Sequence, residues 1–271
     1  MSKTLAIFVT YYPDVDLFRH NLEQIKPYVE GIVVCENTPE NESSRYRITD
    51  FPDIVYLCSG ENSISKGLNL AVKYAVENGY DYMVTMDQDS VFVDFNSYKT
   101  RAIHYLETHW AIIGPTPNAK ALKDEYRRSR DSVIITSGMF MKVSTISYLN
   151  GYCEDFAIEG IDGELCAKAF REGIEVVQDK KSSLIQKYGD FRKITITKNK
   201  SIAIFNYKPN RLFYIFRNHI MIYRKYKDVS FTRQLMVKYY IRYIPKILLF
   251  EKDKINKISA IIRGTYHGIF D

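Results

Sequence analysis

Two carboxylates one residue apart, Asp87 and Asp89, stand where an apolar run from Tyr80 ends in MetAspGlnAspSer. Successive side chains of a strand point to opposite faces, but at a frayed strand end two such carboxylates can turn toward one polyphosphate-bound cation. Hard divalent ions such as Mg²⁺ and Mn²⁺ take one or two carboxylates and fill their other positions with water and substrate phosphates. An Asp-x-Asp triplet alone fits a solvated turn or a helix cap equally well, because Asp favours both. What distinguishes this one is position, behind a strand-like run and after β and α segments that read as a nucleotide-binding half. A second acidic pair, Asp162 and Glu164, opens a segment whose Leu165, Cys166, Ala169 and Phe170 share one helical face, with Gly173 as the stop. That pair fits an N-cap Asp with a first-turn Glu, held by the helix dipole. It fits equally a carboxylate facing a cleft and placed to accept a proton from a hydroxyl.

The elements that must position these groups follow from periodicity. ThrLeuAlaIlePheValThr from Thr4 is a continuous apolar run, as in a strand buried on both faces of a parallel sheet. The chemistry of an open α/β sheet lies at the carboxyl ends of its strands, which places Thr10, Tyr11 and Tyr12 beside a ligand. Leu17, Phe18, Leu22 and Ile25 have helical spacing, and strands are predicted from Gly31, ending in Glu36 and Asn37, and from Ile54; Asn41 to Tyr46 read as loop. Ser63 or Ser65 caps a helix with Leu68, Ala71, Val72 and Ala75 on its apolar face, and Asn62, Lys66 and Asn69 read as cap and solvated face. The order β, α, β, β, α, β ends at the acidic pair. Beyond it come a helix over 98–109, a strand from Ala111, a polar excursion from Asn118 to Asp131, and a strand from Ser132 interrupted by Gly138. That glycine marks either a simple bulge or a close approach of backbone to ligand.

The chain has 271 residues, 46% hydrophobic and 26% charged, enough for one large core or one core with an appendage. One catalytic domain over 1–205 and a helical extension over 206–271 are expected. No basic and apolar leader pattern and no run long enough to span a bilayer is apparent. Cys35, Cys58, Cys153 and Cys166 lack CxxC spacing, which disfavours a zinc site or disulfide framework and points to a reduced, cytoplasmic protein. From Arg211 to Asp271 there are 13 Lys and Arg against 4 Asp and Glu, so the tail carries +9 of a net +6. Its tyrosines and phenylalanines mixed with cations suit either a helix at the inner face of the plasma membrane or an amphipathic cover for the catalytic domain. His219 and His267 read as surface or packed residues. An RNA-binding role for the basic tail would leave Asp87, Asp89 and Asp162 unused, so no nucleic-acid partner is expected. A nucleotidyltransferase would need a glycine-rich phosphate loop near the amino terminus, which ThrTyrTyrProAsp does not supply.

Taken in order, ValThrTyrTyrPro at Val9, ValValCysGluAsnThr at Val33, GluAsnSerIleSerLysGlyLeuAsn at Glu61, MetAspGlnAspSer at Met86, ThrSerGlyMet at Thr136 and IleAspGlyGluLeuCysAlaLysAlaPheArgGluGly at Ile161 resemble the family 2 glycosyltransferases of the GT-A fold. The resemblance is to their bacterial rhamnosyltransferase-like branch, and AsnTyrLysProAsnArgLeuPheTyrIlePheArgAsn from Asn206 is similar to the segment that follows the catalytic domain there. It implies an α/β fold with a mixed, mostly parallel central sheet flanked by helices and a C-terminal helical extension. It also implies inverting, Mg²⁺- or Mn²⁺-dependent transfer of a sugar from a nucleotide-sugar donor to a saccharide or lipid-linked saccharide in bacterial surface polysaccharide synthesis. The branch favours dTDP-rhamnose, with UDP-galactose, UDP-glucose and UDP-galactofuranose as alternatives. Carried over by position, Thr10, Tyr12 and Glu36 would contact base and ribose, with Asn62 and Gly67 shaping the adjoining wall. Asp87 would reach ribose or metal, Asp89 the metal, and Asp162 would be the general base. Thr136, Ser137 and Gly138 would line the floor near the reacting sugar, and Arg211, Arg217 and Asn218 would face the diphosphate or acceptor. Two departures stand out: Glu36 replaces the family's usual Asp, and Gln186 occupies the place of a His that often contacts metal or diphosphate.

Overall fold

The structure, a computed structural model, describes residues 2–43, 53–119, 123, 125–128, 133–186, 192–197 and 200–271. Most of the polar excursion from Asn118, the second half of the Asn41–Tyr46 loop, Ser132 and the stretch 187–189 after Gln186 lie outside them. The chain divides into two compact units, Met1–Gln186 and Lys187–Asp271.

In the first unit β1 (Thr4–Thr10) runs parallel to β2 (Gly31–Glu36) on one side and to β4 (Tyr82–Asp87) on the other, and β2 pairs in parallel with β3 (Ile54–Cys58). Leu5, Ala6, Ile7 and Phe8 are fully buried, as a strand covered on both faces requires. The crossovers are α1 (Val15–Ile25), capped by the Asp14 carboxylate accepting from the Leu17 N–H at 3.1 Å, and α3 (Ile64–Glu77), capped by Ser63. Between them lies a four-residue helical turn, α2 (Glu40–Ser43). After the short strand β5 (Val91–Phe92), α4 (Phe95–Thr108) starts three residues before the spacing predicts, capped by Asp94.

β6 (Ala111–Pro117), β7 (Tyr126–Arg128), β8 (Met139–Lys142) and β9 (Glu175–Ile185) extend the sheet, in the order β3-β2-β1-β4-β8-β6-β9-β5 with β7 also on β9. β7 is a strand formed within the expected polar excursion. The predicted strand from Ser132 begins only at Met139, because Gly138 in the left-handed conformation (φ 81°) turns the chain just before it. β9 carries a GlnAspLysLys run that hides it from periodicity. Asp179 there is 2% exposed and is held by Arg101 at 2.8 Å and Ser182 at 2.5 Å, beside a register shift at Pro115 and Thr116. Two further helices, α5 (Val143–Tyr148) and α6 (Ile161–Arg171), precede β9.

The second unit has a hairpin, β10 (Arg192–Thr197) and β11 (Lys200–Ile204), then α7 (Pro209–Lys225), α8 (Ser230–Met236), a π-helical turn Val237–Tyr243, α9 (Ile244–Phe250) and α10 (Lys254–Phe270). α7 and α10 pack closely because Gly264 and Gly268, one turn apart, lie against the backbone carbonyls of Phe213 and Arg217. The Lys257 ammonium, 2% exposed, donates to Glu251 Oε2 at 2.8 Å and to Asn206 Oδ1 at 2.6 Å, while Tyr243 OH donates to Glu251 Oε1 at 3.1 Å. Removing one member of such a pair strands the other charge, at a cost of about 3–5 kcal/mol, whereas replacing both with apolar groups is far milder. Lys257→Met is therefore expected to lower the denaturation midpoint sharply in urea titrations, and the Lys257→Met/Glu251→Leu double variant to recover most of the loss.

His219 is buried and stacks on Tyr239 with ring centroids 4.3 Å apart. Burial first, then the nearby Lys238 charge, hold its imidazole down to about 3. Since an unfolded His titrates near about 6.5, the unfolded chain binds a proton that the folded chain refuses below that pH. Stability present above about pH 6.5 is thus lost as pH falls toward 3, by up to about 1.4 kcal/mol per unit. Thermal melts between pH 7 and about 4.5 should show a shallower acid limb in His219→Phe, which keeps the stacking.

Candidate active site at the carboxyl edge of the sheet

Strand register assembles this site. Thr10 pairs with Glu36 and Val9 with Asp87, so β1 and β2 finish level and β4 stops one residue short of them, with a carboxylate at the end of each neighbour of β1. β8 runs antiparallel to β4 and to β6, and β6 is parallel to β9. The start of β8 and the end of β9 therefore share that edge, which brings in Thr136, Ser137, Gly138 and Gln186. Helices returning to the start of a parallel strand begin at the edge where the strands end. This puts the amino termini of α3, with Asn62 and Gly67, and of α6, with Asp162, on the same side.

Local hydrogen bonds make the acidic turn rigid. The Asp87 N–H donates to Ser137 Oγ at 3.0 Å, and Thr85 Oγ1 donates to the Thr136 carbonyl at 2.5 Å. Gln88, between the two aspartates, is bonded both ways to Tyr11: the Tyr11 N–H donates to Gln88 Oε1 at 2.7 Å and Gln88 Nε2 to the Tyr11 carbonyl at 3.2 Å. Asn21 Nδ2 donates to the Gln88 carbonyl at 2.8 Å. Neither Gln88 nor Asn21 is among the residues expected from sequence, and Asn21, inside α1, is only 1% exposed. Asp87 and Asp89 are both half-buried.

Tyr12, 38% exposed, has φ 45° and donates its N–H to Thr38 Oγ1 at 2.9 Å, with its ring edge-on to Tyr11. Thr10 and Glu36 are buried, and the Thr10 carbonyl accepts from the Asn37 N–H at 2.8 Å. A Cβ at Gly67 would stand 3.0 Å from that of Cys35, so the glycine sets how closely α3 lies on β2; Asn62 is exposed in the turn before Ser63. Lys66 pairs with Glu61 at 2.5 Å, and Asn69 Nδ2 donates to the Tyr152 carbonyl at 2.9 Å and to Glu154 Oε1 at 2.8 Å. Of the three polar residues read as cap and solvated face, Asn69 is instead a tie to the loop before α6.

Asp162 is not the N-cap of α6. Gly160, φ 80°, takes that position, and the half-buried Asp162 side chain accepts from the Gly163 N–H at 2.8 Å. Glu164 is fully buried, with Lys168 Nζ 3.5 Å from its Oε2. The two carboxylates thus have different surroundings, and a first-turn carboxylate interacts favourably with the helix dipole. Neither nearby thiol is a nucleophile: burial pushes Cys35 up to about 12 and Cys166 above its ordinary range, the latter further raised by the Asp162 charge.

Gln186 Nε2 donates to Asp87 Oδ2 at 2.8 Å, and its backbone is clamped by Asn118, which accepts from the Gln186 N–H at 3.1 Å and donates to its carbonyl at 2.8 Å. Gln186 Oε1 is buried with no hydrogen-bond partner. Among the described residues no three His, Cys, Asp or Glu side chains converge as a ready-made metal cage. A donor set of two carboxylates and one amide oxygen is all hard oxygen, and it fits a Mg²⁺- or Mn²⁺-class ion that keeps its remaining positions for water and phosphate. In the second unit, Arg211 lies 4.4 Å over the Tyr207 ring, and Arg217 Nη1 donates to Oδ1 of the fully buried Asn218 at 3.0 Å.

No protein-family model matches the chain. It is 22% identical, over 293 aligned positions covering 99% of this chain and 96% of the other, to dTDP-rhamnosyl transferase RfbF of Shigella flexneri. Among solved structures it is similar to the mannosyltransferase PcManGT of Pyrobaculum calidifontis, seen with GDP-Man and Mn²⁺ (TM-score 0.62, 11% identity, 99% and 87% of the two chains). It is similar also to S. aureus TarS 1-349 with UDP-GlcNAc (TM-score 0.57, 12% identity, 97% and 81%). The fold is that of the GT-A glycosyltransferases, and the resemblance to the family 2, rhamnosyltransferase-like branch extends along nearly the whole chain.

A Cβ at Gly138 would stand 2.6 Å from Pro115 Cγ and 3.0 Å from Phe92 Cζ, and its φ is one that side chains resist. Gly138→Ala is accordingly expected to cost about 2 kcal/mol or more in denaturant melts. At Gly173, also at positive φ but with nothing within 4 Å, only the backbone penalty should remain.

Proposed function

We propose that the protein is an inverting glycosyltransferase that moves rhamnose from dTDP-rhamnose to a saccharide or lipid-linked saccharide acceptor of a bacterial surface polysaccharide. What supports this most is that Asp87 ends β4 opposite Val9, one residue short of the Thr10–Glu36 pair that ends β1 and β2, with Asp89 two residues on in a turn tied down by Gln88, Ser137 and Gln186. The donor choice rests on the full-length similarity to the Shigella flexneri dTDP-rhamnosyl transferase.

In this reading Thr10, Tyr12 and Glu36 hold base and ribose, with Asn62 and Gly67 shaping the wall beside them. Asp87 reaches the ribose or the cation, and Asp89 holds the cation together with the donor diphosphate. The divalent cation, when bound, neutralises charge developing on the leaving nucleoside diphosphate, usually the largest catalytic contribution in such a site. Asp162 takes the proton from the acceptor hydroxyl as its oxygen attacks the anomeric carbon, and the bond to the diphosphate breaks with inversion. Thr136, Ser137 and Gly138 form the floor against which the sugar is oriented. One base and no second carboxylate nucleophile separate this chemistry from that of a retaining hydrolase.

The test is a nucleotide-sugar panel read by nucleoside diphosphate release, with Mg²⁺, Mn²⁺ or EDTA, on wild type, Asp89→Ala and Asp162→Asn. Release is expected from dTDP-rhamnose and to be lost in EDTA. Asp162→Asn should lower it by about 10² to 10⁴ while leaving donor affinity by calorimetry intact, whereas Asp89→Ala should weaken donor binding as well. Release from UDP-galactose, UDP-glucose or UDP-galactofuranose instead would keep the enzyme class and change the sugar. Neither release nor binding with any donor would sink the proposal.

A further inference from the structure

α10 has two apolar faces. One, with Ala260, Ile261, Gly264 and Gly268, is buried, its two glycines lying against α7. The other carries Ile255, Ile262, Tyr266 and Ile269, exposed by 86, 63, 59 and 45%. These stand seven, eleven and fourteen residues from the first, so at about 100° per residue they fall within an arc of roughly 60°, opposite the buried face. Leu248, Leu249 and Phe250 at the end of α9 are exposed by 48, 68 and 37%. Leu248, Ile255, Ile258 and Ile262 line a groove of about 510 Å³, with Lys254 and Arg263 also on its walls. Lys254 and Arg263 flank the α10 stripe on opposite sides, and the exposed Lys252 sits in the turn between α9 and α10.

Ile255, 86% exposed, gains little from folding, and a stripe that leaves 45–63% of each of Ile262, Tyr266 and Ile269 in water as well calls for a partner. A second copy of this chain laid face to face on the stripe would gather Lys252, Lys254 and Arg263 of both copies around one apolar seam, against Asp253 and Asp271 as the acidic residues of the same stretch. No described helix is long and apolar enough to cross a membrane, so α10 would lie along a bilayer rather than through it. An anionic lipid surface satisfies both chemistries at once. Apolar tips enter the acyl boundary, cations meet phosphate, and Tyr266 stays at head-group depth.

We propose that the α9–α10 face is a docking surface for anionic membrane, with Leu248, Leu249, Ile255 and Ile262 inserted and Lys252, Lys254 and Arg263 on lipid phosphates. Nothing in this face depends on the reaction at the sheet edge.

Cosedimentation of the full chain with phosphatidylcholine vesicles, with and without phosphatidylglycerol, tests it. The protein should pellet with the anionic vesicles, less so at high salt. At about fivefold per cation, Lys252→Glu/Lys254→Glu should weaken binding at least about 25-fold. Ile255→Asp/Ile262→Asp should abolish it. All four side chains are exposed, so thermal melts of both variants should match wild type. Absence of pelleting, equal pelleting with neutral vesicles, or wild-type pelleting by either variant would overturn the proposal. So would a dimer in sedimentation velocity that Ile255→Asp/Ile262→Asp dissolves, which would assign the stripe to a second copy.

Discussion

The parallel pairing of β1 between β2 and β4 is the constraint on which the first unit depends. A strand buried on both faces has no solvent side to set its register, so the alignment of its ends comes from the ladder itself and from the bonds that close it. Here β1 and β2 stop together at Thr10 and Glu36 while β4 stops at Asp87, opposite Val9, and a slip of one residue in a strand would turn its side chains to the other face of the sheet. The closure is polar: Gln88 reaches across to the Tyr11 backbone, Ser137 accepts from the Asp87 amide, and Gln186 meets the Asp87 carboxylate. The Ser137 and Gln186 bonds are part-buried and the Gln88 side-chain bonds lie at the surface, and together they bring three separated segments to the acidic turn.

Much of this was legible in the amino-acid sequence because apolar runs and helix caps are local signals. The run from Thr4, the strands from Gly31 and Ile54 and the Ser63 cap all appear where composition and spacing place them. β9 was not legible, since its Asp179 is stabilised by Arg101, 78 residues away in the chain, and no window along the sequence contains both. Gly138 read as a bulge or as a close approach of backbone to ligand; that it turns the chain just before β8, with Pro115 and Phe92 where a side chain would go, depended on other strands. Asp162 read as a helix start; that Gly160 takes the cap and leaves the carboxylate one position inside depended on a left-handed φ that only the folded loop displays. Gln88 and Asn21 escaped notice for the same reason, because each bonds to a backbone far away in sequence.

The second unit solves a different problem. Two of its helices, α8 and α9, are short, and its aromatic and cationic residues are ones that also suit a surface, so apolar burial alone specifies their arrangement weakly. The Lys257–Glu251 pair, with Asn206 and Tyr243, supplies directional bonds that only one arrangement of β11's exit, α9 and α10 satisfies. A buried ion pair is poor evidence of net stabilisation, and its contribution here is geometric: Lys257, Glu251, Asn206 and Tyr243 satisfy one another's bonds. The Gly264 and Gly268 contacts act likewise, allowing α7 and α10 a close approach that larger residues would block.

The division of labour among the carboxylates then follows from their surroundings. Asp87 already accepts from the Gln186 amide and has its own N–H taken by Ser137, so it is oriented and poorly suited to moving protons during turnover. Glu164 is fully buried beside Lys168 and cannot reach an acceptor. Asp162 is half-buried, and its side chain is steadied through one oxygen by the Gly163 amide at a helix start. A general base must be held, must stay ionised and must face solvent-borne substrate. Of these three, Asp162 combines partial exposure with a place at a helix start, and the proposed proton transfer is assigned to it. Hydroxyl activation and diphosphate neutralisation would then occupy separate carboxylates on separate elements, so that a change at α6 can slow the chemistry without loosening the donor.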